Sequence, residues 1–251
     1  MNFRFLSRAF LLSFLSAVLS GAAYSAIAQA QRPFTVVLDS GHSPSSPGAL
    51  GARGLYEVAY NDILVGQIAQ RLRAVGVRVQ VTRLPAQDAS LEQRIALANT
   101  TAGDLFLSIH HDSAQPQLLT ATTYDGRKAF ATTRPIRGYS AFVSKRNPQF
   151  ERSFEFARIV ANSLNAIGRQ PTMHHAETIA GESRELLDTA LGVYRYDGLF
   201  VLRKTTMASV LLEVGVIVDA TDEAVISNNA NRDLIVNAIV ISILQFARSK
   251  N

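Results

Sequence analysis

The sequence predicts an α/β protein, a three-layer sandwich in which helices flank a mostly parallel mixed sheet of about six strands. Two observations support this fold class. Apolar runs recur along the chain, and amphipathic helical patterns separate them. Several runs are almost continuously apolar, which is typical of strands covered on both faces. The six predicted strands are residues 34–40, 77–82, 105–110, 138–144, 199–202 and 209–215.

Four segments have helical periodicity. Residues 58–75 place apolar side chains on one stripe, and Gly76 marks the stop. Ser90 and Gln93 form a capping-box pattern that opens a helix over residues 90–99. Two further helices are predicted over residues 154–167 and 232–248.

The last helix contains a long apolar stretch, residues 234–247. Asn237, Ser242 and Gln245 interrupt this stretch, and about 14 residues are too few to cross a bilayer as a helix. We therefore expect a core helix and no stable membrane insertion of the mature chain.

Two segments, residues 115–137 and 168–198, are predicted to be long loops on this frame. Loops of this length in a compact domain are usually functional lids or mobile segments. The second contains a short amphipathic piece, residues 182–191, and the pair His174 and His175, which we expect to be solvated.

The first thirty residues have the organisation of a secretory signal. Two arginines precede an apolar stretch, and the segment ends in the small-x-small pattern Ala28-Gln29-Ala30. The sequence thus predicts a signal peptide over residues 1–30 and one domain over residues 31–251. An uncleaved anchor is the alternative, but the apolar part is short for a span of about 20 residues.

The overall composition excludes several classes of function. The formal net charge is +5, which favours contact with an anionic polymer but does not indicate nucleic-acid binding. The chain has no cysteine, so it has neither disulfides nor thiol nucleophiles or ligands.

Polar residues stand at the carboxyl ends of predicted strands, where open α/β sheets bind ligands. His42 follows the first strand, His110 the third, and Glu213 lies in the last, while Glu57 begins a helix. Histidines and a glutamate suit a catalytic zinc site, with a further carboxylate as general base. The alternatives are structural histidines and, for Glu57, a favourable place beside the helix dipole. For Glu213 a structural role is harder to accept, because a buried carboxylate needs a partner or a metal.

The stretch DSGHSPSSPGALGARGLYE, residues 39–57, resembles the opening motif of the zinc-dependent N-acetylmuramoyl-L-alanine amidases of the amidase-3 (AmiC-like) family. The similarity continues through residues 81–83, 90–99, 104–113 and 201–217 and the C-terminal helix, and is weakest over residues 115–198.

The resemblance implies that one Zn²⁺ is held by His42, Glu57 and His110, with Glu213 as the catalytic carboxylate. It implies cleavage of the amide between the lactyl group of N-acetylmuramic acid and the L-alanine of the stem peptide. The sequence departs from the family at Ser43-Pro44, where a second glycine commonly stands. It departs again at Ala208, often a proline, and in the residues after Glu213. These departures concern loop shape and substrate fit.

Three further residues near these positions could contact a ligand or the substrate. Asp39 could orient a metal ligand or the loop, or it could simply cap the turn at Gly41. His111 should point to the opposite side of its strand from His110, and a structural role or a substrate contact is open for it and for Asp112.

The resemblance also suggests a regulatory segment, because some amidases of this family block the zinc with a helix that supplies an extra acidic ligand. Glu177, Glu182 or Glu185 could do so here, and an activator protein would then relieve the block.

The sequence therefore predicts an exported amidase acting on peptidoglycan in the periplasm, in wall turnover or daughter-cell separation. A catalytically silent peptidoglycan-binding protein of the same fold and an exported zinc peptidase acting on stem peptides are the alternatives.

Overall fold

The strands form where the sequence places most of its apolar runs. The computed structural model describes residues 32–249. Within that part of the chain the strands are β1 (Thr35–Ser40), β2 (Arg78–Val81), β3 (Leu105–Asp112), β4 (Leu119–Tyr124), β5 (Arg127–Thr132), β6 (Ser140–Val143), β7 (Glu185–Asp188), β8 (Val193–Arg195) and β9 (Ala208–Val216).

Seven of these strands form one sheet in the order β2-β1-β3-β9-β6-β8-β7. The pairs β1–β2, β1–β3, β3–β9 and β6–β8 are parallel, whereas β6–β9 and β7–β8 are antiparallel. The predicted mostly parallel mixed sheet is confirmed, with one strand more than the six expected. Strands β4 and β5 form a separate antiparallel hairpin.

Helices cover both faces of the sheet, as the α/β prediction requires. They are α1 (Glu57–Ala74), α2 (Leu91–Thr101), α3 (Phe150–Ala166), α4 (Phe200–Lys204), α5 (Ala220–Ser227) and α6 (Asn229–Arg248). One buried cluster joins α1, α3 and α6 to the face that carries Val36 and Leu38. A second joins α2 and α4 to the face that carries Val37 and Phe106. Alternation along each strand thus supplies both sides of the core.

The start of α2 confirms the predicted capping box. Ser90 Oγ accepts the backbone N–H of Gln93 at 3.2 Å, and Gln93 Oε1 accepts the N–H of Ser90 at 2.8 Å. Two of the free N–H groups at the helix start are satisfied in this way.

One predicted strand is wrong, since residues 199–202 lie mostly in α4. A short apolar run does not distinguish a strand from a buried helical turn. Val201 and Leu202 pack into the cluster that contains Ala98 of α2, and Thr205 N donates to Val201 O at 3.2 Å to close the last turn.

The two predicted long loops also contain strands. Residues 115–137 fold into the β4–β5 hairpin, and residues 168–198 contribute β7 and β8 to the edge of the main sheet. The amphipathic piece predicted over residues 182–191 includes β7. Strands of three or four residues are too short to show a period, and their partners are distant in sequence.

Helix α6 is longer than the apolar stretch that predicts it. It has 20 residues and is long and apolar enough, by length and composition, to span a membrane. Its apolar side is buried against the core, with Ile239, Ile243 and Phe246 almost inaccessible. The packing is that of a core helix. The predicted signal peptide, residues 1–30, lies outside the described residues.

Candidate active site

The loop between β1 and α1 brings a strand end and a helix start together. Gly41 N donates to Ile109 O at 3.0 Å, which ties the loop to β3. A Cβ on Gly41 would lie 2.3 Å from His110 Nε2, and one on Gly48 would lie 2.5 Å from Glu57 Oε2. Gly48 also has a positive φ of 78°. Glycine is needed at both positions because the backbone passes so close to the two side chains.

His42, Glu57 and His110 converge at this point, and we call them the His42 group. Glu57 Oε2 lies 2.9 Å from His42 Nε2, and Glu57 Oε1 lies 2.9 Å from His110 Nδ1. The donor atoms of the three side chains lie within 4.8 Å of one another. The two imidazole rings meet edge to face with centroids 5.0 Å apart. The structure thus brings the three sequence-predicted metal ligands together.

Glu57 is held as a carboxylate. Burial alone would raise its pKa, but the hydrogen bonds from His110 and His42 outweigh burial and hold the pKa of Glu57 well below its usual range. The same contact raises the pKa of His42 against the opposing effect of burial. A negative carboxylate between two imidazoles is suited to binding a cation.

Asn61, which sequence reasoning missed, orients the carboxylate of Glu57. Its Nδ2 donates to Glu57 Oε1 at 3.3 Å and to Gly41 O at 3.1 Å, and its Oδ1 lies 2.7 Å from His111 Nδ1. His111 is buried on the opposite side of β3 from His110, and burial lowers its pKa to about 3. A signal was present, since residues four apart share one face of a helix and Asn61 follows Glu57 by four.

The backbone of His42 is held in a left-handed conformation by two arginines. His42 has a φ of 62°, which is uncommon outside glycine. Its carbonyl oxygen accepts hydrogen bonds from Arg83 Nε at 2.8 Å and from Arg94 Nη2. Both guanidinium groups are buried, and their hydrogen bonds hold the loop in this conformation.

Asp39 fixes Arg94 in this position. Asp39 Oδ1 accepts from Arg94 Nη1 and from Thr82 Oγ1, each at 2.6 Å, and Oδ2 accepts from Ser108 Oγ at 2.6 Å. Burial would raise the pKa of Asp39, but the Arg94 charge and these hydrogen bonds lower it overall. Asp39 therefore acts on His42 through Arg94.

Replacing Asp39 by Asn should lower the free energy of unfolding by about 3–5 kcal/mol, because the Arg94 guanidinium would stay buried without its carboxylate. Urea denaturation at pH 7 measures this loss. The pKa of Asp39 is depressed in the folded state, so its stabilisation is complete above the unfolded pKa and is lost as the pH falls through the folded pKa. The two proteins should therefore converge in acid.

The matched control is Asp233→Asn, which breaks the exposed ion pair with Arg71. Exposed pairs contribute about 1 kcal/mol or less. Equal losses of unfolding free energy in the two variants would show that the Asp39–Arg94 pair contributes no more to stability than an exposed pair.

Ser43-Pro44 stands where the amidase-3 motif commonly has a second glycine, and this difference has a structural explanation. Ser46 N donates to Ser43 O at 3.0 Å, which closes a tight turn with Pro44 at its second position. Ser45 at the tip donates its N–H and its hydroxyl to Asp88 Oδ1 at 3.0 and 2.7 Å. Proline and an external carboxylate thus fix the turn without a second glycine.

Glu213 lies beside the His42 group. Strands β3 and β9 are parallel and pair His110 with Glu213, so both side chains are on the same face of the sheet. Among the described residues Glu213 Oε2 has no hydrogen-bond partner, although the atom is buried. Burial, followed by the charges of Asp112 and Glu57, raises the pKa of Glu213 well above its usual value.

A second cluster, which we call the Asp112 group, consists of Asp112, His174 and His175. Asp112 Oδ2 lies 2.7 Å from His175 Nε2 and 3.3 Å from His174 Nε2. The prediction that His174 and His175 are solvated is wrong, since they are only 5% and 8% exposed. Their burial is tolerated because Asp112 and Glu182 raise the pKa of His175 to about 9 against the effect of burial, and Thr172 Oγ1 lies 2.9 Å from His174 Nδ1.

The three acidic residues considered as regulatory ligands lie apart from the His42 group. Glu182 Oε2 contacts His175 Nδ1 at 2.9 Å. Glu177 pairs with Arg134. Glu185 pairs at the surface with Lys145 at 3.2 Å and Arg195 at 2.9 Å. In the described part of the chain, the group of candidate ligands around His42 includes none of the three.

The residues of the His42 group fit a zinc ion. Two imidazoles and one carboxylate are a common ligand set for zinc with three protein ligands. The two close-packed glycines and the hydrogen bond from Asn61 to Glu57 hold the donor atoms in place, and Glu213, with its unpartnered Oε2, is the neighbour of His110 on the adjacent strand.

Comparison with known proteins agrees with this geometry. A family model described as Amidase_3, N-acetylmuramoyl-L-alanine amidase, matches residues 36–245. The N-acetylmuramoyl-L-alanine amidase AmiA of Escherichia coli K12 is 25% identical over 224 residues, covering 84% of this chain and 75% of AmiA. The chain spans 48%, 20% and 59% of the length of three other curated relatives that it matches.

Two solved structures share the fold. The N-acetylmuramoyl-L-alanine amidase from Clostridium difficile 630 is 21% identical with a TM-score of 0.69, covering 87% of this chain and 99% of that one. The CwlD amidase from Clostridioides difficile, solved in complex with the GerS lipoprotein, is 20% identical with a TM-score of 0.63, covering 86% and 99%. At these identities the likeness establishes the fold alone.

Proposed function

Because the chain belongs to the Amidase_3 family of N-acetylmuramoyl-L-alanine amidases, we propose that it is a zinc-dependent peptidoglycan hydrolase. The bond cleaved is the amide between the lactyl group of N-acetylmuramic acid and the L-alanine of the stem peptide. The observation that carries the proposal is the position of Glu213, an unpartnered carboxyl beside two histidines and a carboxylate that suit one metal ion.

His42, Glu57 and His110 are the residues that hold the zinc ion. When bound, zinc supplies a Lewis acid that polarises the scissile carbonyl and lowers the pKa of a water. Glu213 Oε2 takes the proton of the attacking water and returns a proton to the leaving amine of L-alanine. Asn61 keeps Glu57 oriented, and Arg94 with Arg83 keeps His42 in place.

The substrate binds in a cleft of about 600 Å³ that opens beside His42 and His110. The β1–α1 turn and the start of α2 form its other wall, and they offer the hydroxyls of Ser43 and Ser90 and the exposed side chain of Leu91. Hydroxyl donors and an apolar edge suit the junction of a sugar and a peptide.

Export and regulation complete the proposal. Residues 1–30 direct the chain across the inner membrane, and it acts in the periplasm on wall turnover or daughter-cell separation. A protein activator is the second partner of the proposal besides peptidoglycan; the CwlD amidase, which shares the fold, has been solved in complex with the GerS lipoprotein.

Mass spectrometry of purified muropeptides tests this function. Incubation with the zinc-loaded enzyme should release intact stem peptides and leave unmodified sugar with a free lactyl carboxylate. Trimmed stem peptides would identify a peptidase instead. Binding of muropeptides without any change in mass would identify a silent wall-binding protein.

A further inference from the structure

We propose that Asp112, His174 and His175 form a second metal site, which binds a divalent ion of the zinc type. The site lies beside the His42 group but shares no ligand with it. Asp112 and His110 are two residues apart on the same face of β3, so their Cα atoms are separated by about 6.6 Å.

The donor atoms of the Asp112 group converge in the manner of a ligand set. Both imidazoles direct Nε2 at the same carboxylate oxygen, Asp112 Oδ2, at 2.7 and 3.3 Å. One donor atom from each residue lies within 4.8 Å of the other two, as in the His42 group. Two imidazoles and a carboxylate bind zinc, cobalt and nickel well and select against calcium and magnesium, which prefer oxygen ligands.

The opposite nitrogen of each ring has its own partner. His175 Nδ1 lies 2.9 Å from Glu182 Oε2, and Glu182 also accepts a hydrogen bond from Gln115. His174 Nδ1 lies 2.9 Å from Thr172 Oγ1. Metal-binding histidines almost always use the remaining ring nitrogen in this way, because the second contact fixes the ring and raises its basicity.

The surroundings are those of a closed site. The side chains of His174, His175 and Asp112 are only 4%, 10% and 11% exposed. Phe142 and Tyr194 pack against the ring of His175 with centroids 4.9 and 5.6 Å away. The low exposure keeps bulk water from the ligands, and a cation there also offsets the two negative charges of Asp112 and Glu182.

The consequence concerns the segment of residues 168–198. His174 and His175 belong to that segment, whereas Asp112 ends β3, so the ion fastens the segment to the strand that carries His110. The segment also supplies β7 and β8 at the sheet edge. A metal ion at the Asp112 group therefore holds residues 168–198 against β3 without taking part in the reaction.

Metal stoichiometry tests the proposal independently of catalysis. The purified protein, loaded with Zn²⁺ and freed of excess by gel filtration, should contain two equivalents by mass spectrometry of the metal. His175→Ala and Asp112→Asn should each contain one. The double variant His42→Asn/His175→Ala should contain none, and Glu182→Gln should bind the second ion about 10- to 100-fold more weakly.

Glu185→Gln is the matched control, since Glu185 lies in the same segment but pairs only with Lys145 and Arg195 at the surface. It should retain two equivalents. Circular dichroism confirms that each variant is folded, and Asp112→Asn keeps the size of the side chain if His175→Ala does not fold. A single equivalent in the wild type, or two equivalents in folded Asp112→Asn, would overturn the proposal. Neither result would bear on the proposed amidase activity, which the muropeptide assay tests separately.

Discussion

Glu213→Gln should lower kcat by about 10²- to 10⁴-fold, the usual contribution of a positioned general acid–base. The amide has the shape of the carboxyl group but cannot take a proton from water or return one to the amine. Among the described residues, the Glu213 side chain forms no hydrogen bond with His42, Glu57 or His110, so the zinc content should equal that of the wild type. Initial rates on purified muropeptides and metal analysis of the same samples measure both quantities.

Stability provides a second readout for this variant. Glu213 Oε2 is buried and unpartnered among the described residues, and the carboxyl group lies near the negative charges of Asp112 and Glu57. The amide is neutral at every pH and avoids the cost of placing an ionisable carboxyl group there, so the metal-free variant should be at least as stable as the metal-free wild type. Such a result would mark Glu213 as a residue that serves catalysis at a cost in stability. Full activity of Glu213→Gln would contradict the mechanism. Glu185→Gln is the control for replacing a glutamate by glutamine outside the site.

The ends of the strands were the most predictable part of the site. His42, His110 and Glu213 follow or lie within strong apolar runs, and parallel strands bring their carboxyl ends to one edge. Glu57 was found by its place at a helix start and by the resemblance to a known motif. These positions depend on local pattern and on a general rule for α/β sheets, both of which a single sequence carries.

The Asp112 group was not predictable in the same way. His175 contacts Asp112 across 63 positions of the sequence, and this contact, together with the one to Glu182, makes burial of the histidine favourable. No period marks residues 168–198, because β7 and β8 are four and three residues long. The sequence therefore predicts solvated histidines, because it does not show that both Nε2 atoms share a partner, Asp112, that is distant in sequence.

Arg94 illustrates the same limit on a helix. It lies one turn before Ala98 on the face of α2 that packs against the sheet, and a charged residue there signals a buried partner. The pattern shows that a partner must exist, but it does not identify Asp39, which is 55 positions away. The identity of the partner comes from the fold.

His42→Asn should remove one equivalent of zinc and abolish amidase activity. Asparagine is chosen over alanine because His42 has a φ of 62°, a left-handed conformation that asparagine adopts more readily than most residues. The carbonyl oxygen at position 42 can then still accept from Arg83 and Arg94. The loop keeps its path, and the variant loses the imidazole alone.

The zinc dependence of unfolding separates a lost ligand from a damaged fold. A site that binds only the folded state adds about 2.7 kcal/mol to the free energy of unfolding when free zinc is 100-fold above its Kd. His42→Asn should lose the zinc-dependent gain in unfolding free energy that belongs to the His42 group. Its stability without metal should stay close to that of the wild type, because the His42 side chain is 29% exposed. An unchanged zinc increment together with retained activity would show that His42 is not a ligand. A loss of stability without metal would instead mean that the imidazole supports the loop through its contact with Glu57, and the metal role would then rest on Glu57 and His110.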